Sequence, residues 1–161
     1  MKKASDFIEK IQSWFSMALF VVFLICIVLQ ILSRYIPFIK VIGTEEIATY
    51  SFIWAILMGA AVELKRKEHF AFEFVRANAK GTLHLVLETA IYGLVIAFSL
   101  YIALSGVQLT RQFWNWNLTS FNFISQRYIW SSLIVCGATM AFYGLCNLVL
   151  VYQNYNKEKE K

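Results

Sequence analysis

Apolar residues fill four long blocks of the chain, and polar residues collect between them. The blocks cover residues 14–35, 45–64, 83–110 and 128–152. Each is about 20 residues or longer, the length that crosses a bilayer as a helix. Ahead of the first block, Phe7, Ile8, Ile11, Trp14 and Phe15 recur at helical spacing, while Asp6, Glu9, Lys10, Gln12 and Ser13 take the other side. That pattern predicts an amphipathic segment over residues 5–15, lying in the interface and then turning into, or running on as, the first span. Pro37 ends the first helix, Thr44 is a suitable N-cap for the second, and Glu45 and Glu46 fall in its first turn, where the helix dipole favours them. Between spans two and three, Phe70, Phe74 and Val75 share a helical face, which predicts a short interfacial helix closed by Gly81. The third block is longer than one crossing needs, so it tilts or protrudes. Residues 113–126 alternate aromatic and polar side chains, the composition of a loop dipping into headgroups. The expected fold is a single all-α membrane domain of four transmembrane helices, with an N-terminal amphipathic segment and a cytoplasmic interfacial helix.

Composition supports this class. Of 161 residues, 59% are hydrophobic and only 16% charged, and a soluble domain of this size could not bury that much apolar surface. The net charge of +5 is not gathered on one face, so it does not suggest nucleic acid. It lies between and after the apolar blocks. Lys2, Lys3, Lys10, Lys65, Arg66, Lys67, Arg76, Lys80, Lys157, Lys159 and Lys161 fall on one side of the membrane; only Arg34, Lys40, Arg111 and Arg127 fall on the other. The positive-inside bias therefore places both termini and the central loop in the cytoplasm. The first apolar block is too long for a signal-peptide core and no small-residue cleavage pattern follows it, so a retained first helix is expected. Cys26, Cys136 and Cys146 lie inside apolar blocks with neither metal-site nor disulfide spacing.

The middle of each span lacks Asp, Glu, Lys, Arg and His. Such residues cost about 2.5–3.5 kcal/mol each at mid-membrane on insertion scales, and transporters keep them for function. A proton relay or ion path is therefore not expected from this chain alone. Haem ligation needs axial ligands inside the bundle, whereas His69 and His84 flank the central loop. No cofactor is expected, and no enzymatic constellation is visible. The remaining candidates lie at the ends of the second span. Arg34, Glu45 and Glu46 gather at one interface, where Arg34 could pair with either glutamate and pin spans one and two. Tyr50 and Trp54 follow Glu46 at i+4 and i+8 and share its helix face. Gly59, Ala60 and Ala61 permit close helix approach, as does the strip Gly137, Ala138, Ala141 and Gly144. Lys65, Arg66 and His69 read as a stop signal in contact with anionic lipid or the loop.

These residues resemble a known family. Glu45-Glu46, Tyr50, Phe52, Trp54, Gly59-Ala60-Ala61, Lys65 and His69, preceded by Gln30 and Arg34-Tyr35, look like the signature of the small membrane subunit of TRAP transporters, the tripartite ATP-independent periplasmic transporters. The subunit is the Q subunit, DctQ- or SiaQ-like. The layout matches over nearly the whole chain and the motif over residues 30–69. Two positions depart from the pattern: Glu73 stands where an Asp is frequent, and Asn78-Ala79-Lys80-Gly81 lacks a frequent Pro. The resemblance implies a bacterial inner-membrane protein that partners a large membrane (M) subunit working by an elevator motion. A periplasmic substrate-binding (P) subunit would deliver an organic acid, of the sialic acid or C4-dicarboxylate type, and a sodium gradient would drive uptake. The small subunit would scaffold the large one and help dock the binding protein. Gln30, Arg34, Glu45, Glu46, Tyr50, Trp54, Gly59 and Ala60 are then interface or structural residues, and Trp114, Trp116 and Arg127 candidates for binding-protein docking. Two other classes stay open on the residues: a membrane anchor of a redox enzyme, and a small self-sufficient transporter.

Overall fold

The computed structural model describes residues 2–36, 42–66 and 81–159. They form four long helices: α1 (Lys2–Tyr35), α2 (Thr44–Arg66), α3 (Gly81–Gln112) and α4 (Arg127–Lys159). All four are long and apolar enough to cross a membrane, and the chain is an all-α membrane protein. The expected interfacial helix between spans two and three, and with it His69, lies outside the described residues, as does Pro37.

The N-terminal segment does not turn. α1 is one helix of 34 residues, about 51 Å at the usual rise. Running straight on changes which side of residues 5–15 is buried. Gln12, expected on the outward polar side, is only 6% exposed, and Ser5 is buried too. Phe7, Ile11 and Trp14 are the exposed ones. Phe7, Ile11 and Trp14 thus face outward, toward lipid in a membrane, while Ser5, Gln12 and the apolar Ile8 pack inward and Asp6 and Lys10 stay exposed.

The helices stand in an open, curved row. α1 lies along α2, α2 along α4, and α4 along α3; the backbone of α3 comes alongside α4 alone, and that of α1 approaches α4 at only a few positions. α1 and α3 therefore form the two edges. Leu94, Phe98, Tyr101 and Leu104 on α3 are exposed, as are Met17, Val21, Ile25 and Val28 on α1.

Small residues set the tightest seam. A methyl group on Gly137 would come within 2.5 Å of the Ser99 carbonyl oxygen and 2.7 Å of the Ala103 nitrogen. Gly106 faces the Ile134 backbone as closely, at 2.9 Å. Of the strip read from the sequence on the fourth span, Gly137 and Gly144 therefore serve the α3–α4 seam, whereas Ala138 is exposed. Gly59 does not play this part, because a methyl there would meet only Ser16 Oγ at 3.5 Å, ordinary contact.

Polar side chains bind the other seams. Tyr143, fully buried, donates its hydroxyl to Gln12 Oε1 at 2.7 Å. Gln12 Nε2 donates to Thr139 Oγ1 at 3.0 Å and lies 3.5 Å from Met58 Sδ. One amide thus joins α1, α2 and α4. Ser16 Oγ donates to the Ala55 carbonyl at 2.8 Å, and Asn147 Nδ2 to the Leu64 carbonyl at 3.2 Å. Around Tyr143 pack Ala61, Leu64, Tyr92 and Val151. In lipid, interhelical hydrogen bonds and close packing replace the hydrophobic drive that holds soluble bundles together.

Candidate functional site

Beyond the seams, further polar contacts gather at the two ends of the row. At one end lie the start of α1 and the end of α2. Lys65 pairs with Asp6, and Arg66 with Glu9 at 2.8 Å. The sequence reading took Lys65 and Arg66 as lipid or loop contacts; the structure adds carboxylate partners on α1 for both. The straight α1 carries two carboxylates alongside them, and a carboxylate held in the same structure is the nearer partner.

The other end is closed by a cap, residues 113–126, linking α3 to α4. It is built rather than loose. Leu118 N–H donates to the Ile124 carbonyl at 2.9 Å, and Gln126 N–H to the Trp116 carbonyl at 2.8 Å, on either side of a bridge between Asn117 and Ser125. The buried Ser125 hydroxyl donates to the Trp114 carbonyl at 2.9 Å. Leu118 is buried beneath the turn.

Glu46 fastens this cap to α2. Its two carboxylate oxygens accept the backbone N–H groups of Thr119 and Ser120, at 2.8 and 2.9 Å. A carboxylate receiving two adjacent amides is a strong, directional acceptor. The approach is helped from α2 itself. Gly43 has φ 81°, a conformation that suits glycine, and a methyl there would strike the Phe121 ring at 2.5 Å. Gly43 also supplies the carbonyl that accepts the Ile47 N–H at 3.1 Å, so α2 already includes Thr44, the residue expected to cap it.

The ion pair expected between Arg34 and a glutamate is not formed. Among the described residues neither Glu45 nor Glu46 pairs with a basic side chain, because Glu46 is taken by the cap amides. Arg34, Gln30, Glu45, Glu46 and Tyr50 nevertheless line one polar notch of about 560 Å³. It sits in the corner between the end of α1, the start of α2 and the cap. Gln30 Nε2 is buried there without a hydrogen-bond partner among the described residues.

Glu46, Tyr50 and Trp54 do share a face. They line a second, apolar groove of about 340 Å³ with Phe121, Phe123 and Tyr128. Trp54 is anchored by its Nε1–H, which donates to the Tyr128 carbonyl at 3.2 Å, and its ring meets Phe15 edge-on at 5.9 Å. This face of α2 turns toward the cap and the start of α4. Ala60, half-buried, and Gly59 lie further along α2 and outside both cavities. Arg127 stacks on Trp114 at 4.8 Å and on Tyr128 at 5.0 Å, and Trp116 is exposed with its ring edge-on to Phe113 at 5.7 Å. Of the three residues singled out from the third loop, Arg127 and Trp114 thus meet, and Trp116 packs on Phe113 instead.

Two features escaped the sequence reading. The Gln12–Tyr143–Thr139 set comes from positions more than a hundred residues apart, and a lone Gln in an amphipathic pattern gives no sign of its partner. Glu88 is the other: only 4% exposed, it lies on α3 with His84 Nε2 at 3.7 Å one turn before it. Among the described residues no three His, Cys, Asp or Glu side chains gather as a metal site would need.

Comparison with known proteins agrees with this architecture. The family described as tripartite ATP-independent periplasmic transporters, DctQ component, matches residues 23–154. The chain is also 24% identical over 136 residues to the sialic acid TRAP transporter permease protein SiaT of Haemophilus influenzae (strain 86-028NP). That alignment covers 84% of this chain but 22% of the relative, so the chain spans about a fifth of the relative's length. The polar ends, the four spans and the residue pattern between them place the chain, by its match over most of its length, in the DctQ component family of the tripartite ATP-independent periplasmic transporters.

Proposed function

We infer that the chain is the static small subunit of a sodium-coupled TRAP transporter, flanking a large membrane subunit that carries the substrate. The observation that carries this reading is the open row, with apolar side chains exposed along both edge helices and no Asp, Glu, Lys, Arg or His at mid-span. A row without an enclosed interior offers side surfaces for another membrane protein, and it holds none of the charged groups on which ion-coupled carriers rely. The cap end faces the periplasm in this reading, in line with the bias of Lys and Arg toward the other end. Its exposed Trp114 and Trp116, with Arg127 held between aromatic rings, form a rigid surface suited to the substrate-binding subunit. The substrate is an organic acid, of the sialic acid or C4-dicarboxylate type; the relative's name speaks of sialic acid.

Reconstitution tests this. The large subunit is placed in proteoliposomes with a sodium gradient and loaded binding protein, with and without this chain. Uptake is expected only when the chain is present. Equal uptake without it overturns the scaffold role, and uptake by this chain alone overturns the assignment of transport to the large subunit.

A further inference from the structure

We propose that the notch between α1, α2 and the cap is a binding site for the headgroup of a phospholipid carrying a primary ammonium. Its position selects the ligand class. The apolar run of α1 ends at Leu32, with Ser33 and Arg34 following, and α2 begins with Thr44-Glu45-Glu46 before its own apolar run. The notch therefore sits where both runs stop, which in a membrane is the headgroup level. Exposed Tyr35 and Ile42 are the chain neighbours of its lining residues Arg34 and Gly43.

The charges in it are of both signs and are left over by the fold. Arg34, on the α1 wall, has no ion-pair partner among the described residues. Glu45, on the α2 wall, has none either, and only its backbone carbonyl is engaged, by Thr49 Oγ1. Glu46 is satisfied by the cap amides and adds no free acceptor pair. A wholly anionic headgroup would leave Glu45 opposed by like charge. A quaternary ammonium has no N–H to give a carboxylate. A phosphate beside a primary ammonium answers both walls, the phosphate on Arg34 and the ammonium on Glu45. Across Glu46 and Tyr50 the lining changes from polar to apolar, because the second groove shares these two residues. That is the order of surfaces a lipid presents from headgroup to chain.

The test is native mass spectrometry of the purified chain in detergent, with phosphatidylethanolamine, phosphatidylcholine and phosphatidylglycerol of identical acyl chains supplied in equal amounts. The wild-type chain is expected to retain phosphatidylethanolamine at least about threefold over either of the others, the size that exposed charge contacts give. Glu45→Gln should abolish the preference over phosphatidylglycerol while leaving lipid bound. Arg34→Gln should lower retention of all three lipids, and Arg34→Lys should restore part of it. Far-UV circular dichroism of each variant guards against unfolding, and both residues are exposed, so substitution leaves the helix seams intact. Equal retention of the three lipids by the wild-type chain overturns the proposal. So does a preference that persists in Glu45→Gln, the result expected if the notch receives a segment of a partner protein instead.

Discussion

At the scale of single residues, the most informative side chain is Gln12. It spends both ends of its amide on other helices, taking the Tyr143 hydroxyl and giving to Thr139. Gln12→Leu would strand a buried tyrosine hydroxyl, and interhelical bonds of this kind are worth about 0.6–2 kcal/mol. Denaturant unfolding of the purified chain should show a loss of that size. Tyr143→Phe should cost a similar amount, and the double variant less than the sum, since both remove one bond. Glu46 is the counterpart at the cap. Glu46→Ala should speed hydrogen exchange at Thr119 and Ser120, the two amides it holds, while exchange in the helix seams stays unchanged. Gln12 does not announce itself in the sequence, and Glu46 stands out there as a possible ion-pair partner. The glutamate pair at a helix start looks like dipole electrostatics, and only the fold of a loop some seventy residues away reveals its acceptor role. Arg34 misled for the same reason: it lies near the glutamates, yet the better-placed partner for Glu46 is backbone.

At the scale of elements, the helices themselves were legible because each apolar block is long and bounded by charge or turn residues. Their seams were partly so. Gly59-Ala60-Ala61 and Gly137-Ala138 look alike as strips, but of their two glycines only Gly137 lies against backbone, at distances no side chain could share. The difference depends on how the helices are rotated, which composition does not encode. The contrast gives a paired test. Gly137→Val should separate α3 from α4 and cost about 1–3 kcal/mol, the usual penalty of overpacking. Gly59→Ala should be neutral or stabilise by up to about 1 kcal/mol, since the added methyl finds room and the helix gains stiffness. Thermal unfolding in one detergent compares the two directly. The N-terminal segment shows what periodicity can and cannot say. Its amphipathic stripe is real, but pattern alone does not tell which side faces protein.

At the scale of the whole molecule, the open row is what the sequence withheld, because four spans of any order share the same hydropathy trace. Cysteine pairs report it. Ser16→Cys with Gly59→Cys should crosslink readily in the isolated chain, since a methyl at Gly59 already touches Ser16. Any pair joining mid-span positions of α1 and α3 should not, because these are opposite edges. Native Cys26, Cys136 and Cys146 are buried and leave the background low. The orientation is tested the same way. A thiol reagent that cannot cross the membrane should label Asn122→Cys in spheroplasts and spare Gln153→Cys, both exposed positions at opposite ends.

The row's fastenings have a mechanical meaning. A layer of parallel rods resists stretching along the rods but shears easily where neighbours slide past one another. Here Glu46 grips the cap at one extremity, and the Asp6–Lys65 and Glu9–Arg66 pairs grip the other. Ties at the extremities act through the longest lever arm, so a modest bond there opposes skewing better than a stronger one at the centre. The Gln12 junction works as the pivot between them. A frame braced in this way returns to the same shape after a sideways push.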